Sequence, residues 1–240
     1  MIGVIIFLIV VFVLPLGYHY YKPATCFDKV QNQSEQGVDC GGPCQALCPA
    51  QYADLNVKWA RLSKVDDGVY NVLAYVENPN LQAGVSQIKY VFKLYDKDGV
   101  LLSERYGSTF IPANKITAIF EGEMRTGTKI GTRVGFDILS QTGWVKETAA
   151  ENDLTQSGVE MLTADTRPRV EATVANTSIK EIKNVEAVAI VYDIEGNTLA
   201  FSRTIIDSLP ANSSQQITYT WPKPLERDYA TIEIVLRILK

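Results

Sequence analysis

Cys26, Cys40, Cys44 and Cys48 are the four residues of this 240-residue chain best able to do covalent chemistry, and the chain has no other cysteine. Thiols this close together bridge, hold a metal, or stay free or otherwise modified. An even, clustered set predicts two disulfides formed in an oxidising compartment, with three pairings open. The zinc alternative has the spacing C-x13-C-x3-C-x3-C, which lacks the C-x2-C knuckle of most structural zinc sites. Between the cysteines lie Asp28, Asn32, Glu35 and Asp39, oxygen-bearing side chains three to four residues apart. Calcium takes about six to eight such oxygens, so these four are the candidate ligands of a structural Ca²⁺. The competing reading is a polar linker with its acids in water. The segment has almost no apolar content and needs covalent staples to fold.

Other chemistry finds little support. The only histidine is His19, so no Ser-His-Asp or Cys-His pair forms in the rest of the chain. G-x-S-x-G, H-E-x-x-H and phosphate-cradling glycine loops are absent, and Asp66-Asp67 sits beside Gly68 in a turn pattern. A non-catalytic protein is the expectation. Net charge is −4 with both signs dispersed, and no basic run would neutralise a string of phosphates. Nucleic acid is therefore not an expected partner.

Residues 2–18 carry no charged side chain, and extending the segment through Tyr21 gives about twenty residues. At about 1.5 Å per residue that crosses a ~30 Å hydrocarbon core. Tyr18, His19, Tyr20 and Tyr21 would lie at the headgroups, with Lys22 beyond. A cleaved signal peptide would want a basic start, and no Lys or Arg precedes position 22. Residues 1–21 are thus expected to be a transmembrane anchor and 22–50 a cysteine-rich linker. The cysteines place the C-terminal part outside the cytoplasm.

From Tyr52 the pattern becomes period-two. Ile88, Tyr90, Phe92 and Leu94 share one face of a strand, and Lys89, Val91, Lys93 and Tyr95 share the other. The order then repeats. Phe92-Lys93-Leu94-Tyr95-Asp96 returns as Ala189-Ile190-Val191-Tyr192-Asp193, 97 residues later. Val76-Glu77-Asn78 returns as Val174-Ala175-Asn176 and Pro112-Ala113-Asn114 as Pro210-Ala211-Asn212, 98 residues later. Asp96 and Asp193 head turns completed by Gly99 and Gly196. A mainly β protein follows, with two tandem immunoglobulin-like β-sandwiches over 51–150 and 151–240. The polar stretch 148–157 is the expected boundary. Asn32, Asn176 and Asn212 each begin an N-x-S sequon, to be weighed against chance.

Two resemblances rest on these residues. Phe92-x-Leu94-Tyr95-Asp96 matches the motif that names the FxLYD family of small bacterial and archaeal β-sandwich domains. It covers roughly 70–122 well and 168–220 more loosely, where only Tyr192 and Asp193 of the motif stay. Cys26-Phe27-Asp28, Asn32, Glu35 and Asp39-Cys40-Gly41-Gly42-Pro43-Cys44 resemble a cysteine motif of bacterial surface proteins, C-x-D-G, N-x-x-E, D-C-G-G-x-C. Lys29 stands where that motif favours glycine. The FxLYD resemblance implies a structural or interaction role outside the membrane with no enzymatic activity. The expectation is a single-pass cell-membrane protein whose outer domains meet a protein partner of the cell envelope. The alternative is a Ca²⁺-dependent ligand-binding or sensor ectodomain.

Overall fold

A computed structural model describes residue 11 and residues 24–147 and 153–239. The expected membrane helix over 1–21 lies outside the described residues, apart from Val11. Among the described residues no helix is long and apolar enough to cross a membrane. The chain forms two compact units, one up to Gln51 and one from Tyr52 onward. The first is a loop module ending in a single 3-10 turn at Pro49–Gln51.

The second unit is built of strands. Its first half holds β1 (Asn56–Asp66), β2 (Val69–Glu77), β3 (Ala83–Tyr95), β4 (Leu101–Ile111), β5 (Ile116–Arg125) and β6 (Arg133–Lys146). Its second half holds β7 (Leu154–Leu162), β8 (Arg169–Asn176), β9 (Ile182–Tyr192), β10 (Thr198–Leu209), β11 (Ser213–Thr220) and β12 (Thr231–Ile238). They form four antiparallel three-stranded sheets: sheet 1 (β1-β2-β5), sheet 2 (β4-β3-β6), sheet 3 (β7-β8-β11) and sheet 4 (β10-β9-β12). The expected boundary near 150 falls among residues 148–152, outside those described. Leu154–Ser157, expected to belong to the polar linker, instead open β7. β7 is an edge strand of sheet 3, and Thr155, Gln156 and Ser157 are all exposed. Period-two patterning marks a strand only where one face is buried.

Alternation explains β3: Ile88, Phe92 and Leu94 are fully buried while Lys89 on the other face is exposed. Tyr90, Phe92 and Phe136 pack as an aromatic cluster, with Phe92 directly opposite Phe136 on β6. In the second half one core takes Val170, Ala172 and Val174 from β8, Ile217 and Tyr219 from β11, and Val185, Ala187, Ala189 and Val191 from β9. Sheets 3 and 4 therefore share a core. β9 differs from β3 in being buried on both faces, every residue from Val185 to Val191 included. Its other face joins a separate cluster in which Val188, Ile190 and Phe201 meet Leu73 of β2 and Ala118 of β5. Sheet 4 thus packs on sheet 3 with one face and on sheet 1 with the other.

Candidate functional site

In the cysteine module Cys26 bridges Cys44 and Cys40 bridges Cys48, one of the three pairings left open by the spacing. Cys44 and Cys48 are buried. Gly37 packs against the second bridge, where an added Cβ would meet Cys40 Sγ at 2.9 Å. Gly42 has φ +72° on one side of it at Gly41 and is itself at φ +56°; a Cβ there would stand 2.3 Å from the Ser34 carbonyl. Both halves of the Gly41-Gly42 pair are thus required by backbone shape.

The four oxygen-bearing residues come together within this module. Asp28 accepts from the N–H of Thr25 and Val30 and from the Asn32 side-chain amide. Asp39 accepts from the N–H of Asp28 and Lys29. Glu35 Oε2 accepts from the N–H of Asn32 and Asp39. The carboxylates therefore cap loop backbone that has no sheet partner. Glu35 Oε1 also lies 3.1 Å from Cys44 Sγ, a bridged sulfur with no proton to give. Cys26, Glu35 and Cys44 bring three ligand-type atoms within 4.8 Å, but two of them are the halves of one disulfide and neither is a thiolate. Asn32 Oδ1 is buried with no hydrogen-bond partner among the described residues.

The Thr25 N–H, then the Asn32 amide and the Val30 N–H, hold the Asp28 carboxyl below its ordinary value of 3.8. The folded module therefore binds that proton less tightly than the unfolded chain. Its contribution is whole above the ordinary value and is lost as pH falls through the lowered one. Lys29 has φ +63°, a left-handed backbone conformation that favours glycine. Lys29→Gly is expected to stabilise the module by about 1 kcal/mol, seen as slower amide exchange over residues 26–40.

The motif strands show what the repeated Tyr-Asp pair does. Asp96 Oδ1 accepts from the N–H of Asp98 and Val100, and Asp193 Oδ1 accepts from the N–H of Glu195 and Asn197. Each aspartate closes its hairpin turn, with Gly99 and Gly196 left-handed at φ +80° and +82°. Phe92 and Leu94 face the core, while the Arg133 guanidinium lies over the Tyr95 ring at 4.3 Å.

The duplication holds at the level of single atoms. Asn78 Nδ2 donates to the carbonyls of Ala83 and Pro112, and Asn176 Nδ2 donates to those of Lys180, Leu209 and Pro210. The Asn114 N–H bonds the Asn80 carbonyl and the Asn212 N–H bonds that of Ser178, both asparagines left-handed. Asn78 and Asn176 are each only 1% exposed. The amide of Asn176 is thus spent inside the fold and is no glycan acceptor. Asn176→Ala leaves buried carbonyls unpaired and is expected to cost about 2 kcal/mol, measured by urea unfolding.

Side chains that the sequence pattern did not single out join the halves. Glu233 of β12 accepts from the hydroxyls of Tyr75 and Tyr192, one from each half, at 2.6 and 2.9 Å. Glu186 of β9 is buried and pairs with Arg237 of β12, while Arg237 also donates to Thr109 Oγ1 and the Phe110 carbonyl of β4. Burial first, and Glu233 second, push the Tyr75 and Tyr192 hydroxyls above their ordinary value of 10. Their contribution is whole below pH 10 and is lost as pH rises from there through the raised values. The thermal midpoint is expected to fall above pH 10, and to fall less in Glu233→Gln. A sequence signal for this seam existed: the run Val185–Val191 is apolar at every position but Glu186, which marks a strand buried on both faces.

At one pole of the seam a cavity of about 450 Å³ takes Leu62, Lys64 and Ile130 from the first half and Asn197, Leu199 and Arg227 from the second. Arg227 reaches the Asp193 carboxylate at 3.4 Å. The cavity wall offers no nucleophile paired with a base.

No family model matches the chain, and no curated protein matches it. Among solved structures, a transglutaminase of red sea bream is 12% identical over 77% of this chain and 30% of its own, with a TM-score of 0.24. A β-glucuronidase from glycoside hydrolase family 2 is 12% identical over 66% of this chain and 21% of its own, also at 0.24. The chain thus spans less than a third of either protein, and likeness at this level bears on neither fold nor activity.

Proposed function

We propose that this chain is a membrane-anchored, extracytoplasmic structural or interaction protein without catalytic activity. It carries a disulfide-stapled module and two immunoglobulin-like β-sandwiches of the FxLYD kind, as on a bacterial cell surface. The observation that carries the reading is the placing of the chain crossings. Ala53 bonds Asn80, Glu147 bonds Gln82, Asp153 bonds Thr177 and Leu239 bonds Asn184. Chain entry, the crossover between halves and the C-terminal strand end therefore share one end of the strands. Six connections, from Asp66–Val69 to Thr220–Thr231, lie at the other end, four of them hairpins and two crossing between sheets. Val100, Ile130 and Ile194 are exposed there, with Ile194 90% accessible. That geometry suits a module held at one end that meets a protein partner with loops or with its edge strands.

Protease shaving of intact cells is the test. Digestion of 52–240 alongside a known exterior marker supports the reading, and survival of those residues while the marker is lost removes it. A second reading, a Ca²⁺-dependent module, is favoured by the unpartnered Asn32 Oδ1 beside Asp28 and Glu35. Calorimetry of the full chain with CaCl₂ checks it. Heat and a raised thermal midpoint, both lost in Asp28→Asn, are expected if it holds, and neither appears if it does not.

A further inference from the structure

We infer that the outer face of sheet 1 is an interaction surface specific for the outer face of sheet 4, that this pairing makes the two halves one cooperative block, and that the stack closes at two. The duplication makes positions in the two halves equivalent, and the equivalents differ by face. Facing the core, the copies agree: Val72, Ala74 and Val76 of β2 correspond to Val170, Ala172 and Val174 of β8. Facing outward, they diverge. Sheet 1 presents Leu73, Tyr75, Ala118, Phe120 and Trp59 to sheet 4. By strand register the equivalent outer positions of sheet 3 are Glu171, Thr173, Gln216, Thr218 and Ser157. Gln216 Nε2 there donates to Glu171 at 2.8 Å, so the face satisfies itself.

The partner face diverges in the opposite sense. Sheet 4 presents Val188, Ile190, Phe201 and Val235 to sheet 1. The register puts Lys93, Glu104 and Asp137 of sheet 2 at the positions of Ile190, Phe201 and Val235, while Val91, equivalent to Val188, stays apolar and buried. Lys93 and Asp137 are paired on that free face at 2.9 Å. Two copies of one domain have thus kept the same interior. The covered exteriors are apolar where they meet, whereas the uncovered one of sheet 2 sets Lys93, Glu104 and Asp137 around Val91 and Tyr106. An array that continued would need apolar faces at both ends, as internal repeats have, and polar ones are the mark of caps. The covered faces are those of a buried core, where burial drives association, and the charged ones resist it.

Hydrogen exchange on the full chain in mild detergent tests the coupling. Leu73→Glu, which installs the residue found at the equivalent position 171, is expected to speed exchange in β9 and β10 of the second half by about tenfold or more. Leu73→Ala gives a smaller change in the same strands, and it keeps the test readable if the glutamate variant does not fold. Faster exchange confined to β1, β2 and β5 would overturn the inference, because halves that fold independently do not share the loss. Closure is tested by amine labelling of Lys89 and Lys93 over a range of protein concentrations. Labelling that does not change with concentration is expected. Protection that grows with concentration would show sheet 2 stacking on another copy and would remove the claim that the stack ends.

Discussion

Arg237→Ala is expected to lower the stability of the β region by about 3–5 kcal/mol, the usual cost of removing one partner of a buried ion pair. Glu186 is 3% exposed and lies inside the apolar run of β9. Without the Arg237 guanidinium its remaining cationic neighbour is Arg203, at 3.5 Å, which is also stacked on Phe120. The uncompensated carboxylate accounts for most of the loss, and the severed bonds to Thr109 and Phe110 add to it. Replacing both members, Glu186→Leu with Arg237→Met, is therefore expected to recover much of the stability, since two apolar side chains leave no stranded charge. Urea unfolding followed by tryptophan fluorescence reads both variants. Equal losses in the single and double variants would show that the pair acts by shape and not by charge.

Cys44→Ser comes second in expected effect and acts on the other unit. Removing the Cys26–Cys44 bridge frees a loop of 18 residues in sequence separation, which by chain entropy alone is about 3 kcal/mol, within the usual range of about 2–5 for small domains. The Cys40–Cys48 bridge remains, with a sequence separation of 8, and leaves the stretch before Cys40 with little else to hold it. Its backbone is capped by Asp28, Glu35 and Asp39, and those caps exist only while the loops stay together. Residues 24–39 are expected to lose most of their exchange protection and to become a preferred site of proteolysis, while 52–240 keeps its protection because it contains no cysteine. Non-reducing peptide mapping of the parent protein should recover Cys26 with Cys44 and Cys40 with Cys48. Four free thiols in freshly isolated protein would contradict both the bridges and the proposed compartment.

Much of this was legible in the residues. Cysteine clustering marked the stapled module because a segment without apolar side chains has no other route to a fold. Strands such as β3 were legible because one face is buried and the other wet, which leaves period two in the sequence. The turns were legible because Asp96 and Asp193 cap backbone locally, a property of four or five consecutive residues. Three things were not. The disulfide pairing depends on where loops place sulfur atoms. β7 escaped because an exposed edge strand carries no alternation. Glu186, Glu233 and Arg237 escaped because each looks like a surface charge until a second sheet covers it.

The sequence by itself thus determined the mainly β class and the covalently held segment, and it carries an internal repeat, since local periodicity, cysteine content and repetition can all be read along the chain. The apolar run of β9 marks one doubly buried strand, but tertiary structure decided which outer face covers it and which outer faces stay surfaces. Leu73 and Glu171 are equivalent residues on equivalent strands, and only the packing of sheet 1 on sheet 4 makes one a buried contact and leaves the other facing water. The reason is physical: burial on a strand's second face is conferred by a partner distant in sequence, and the chain encodes that partner only in how its two copies differ.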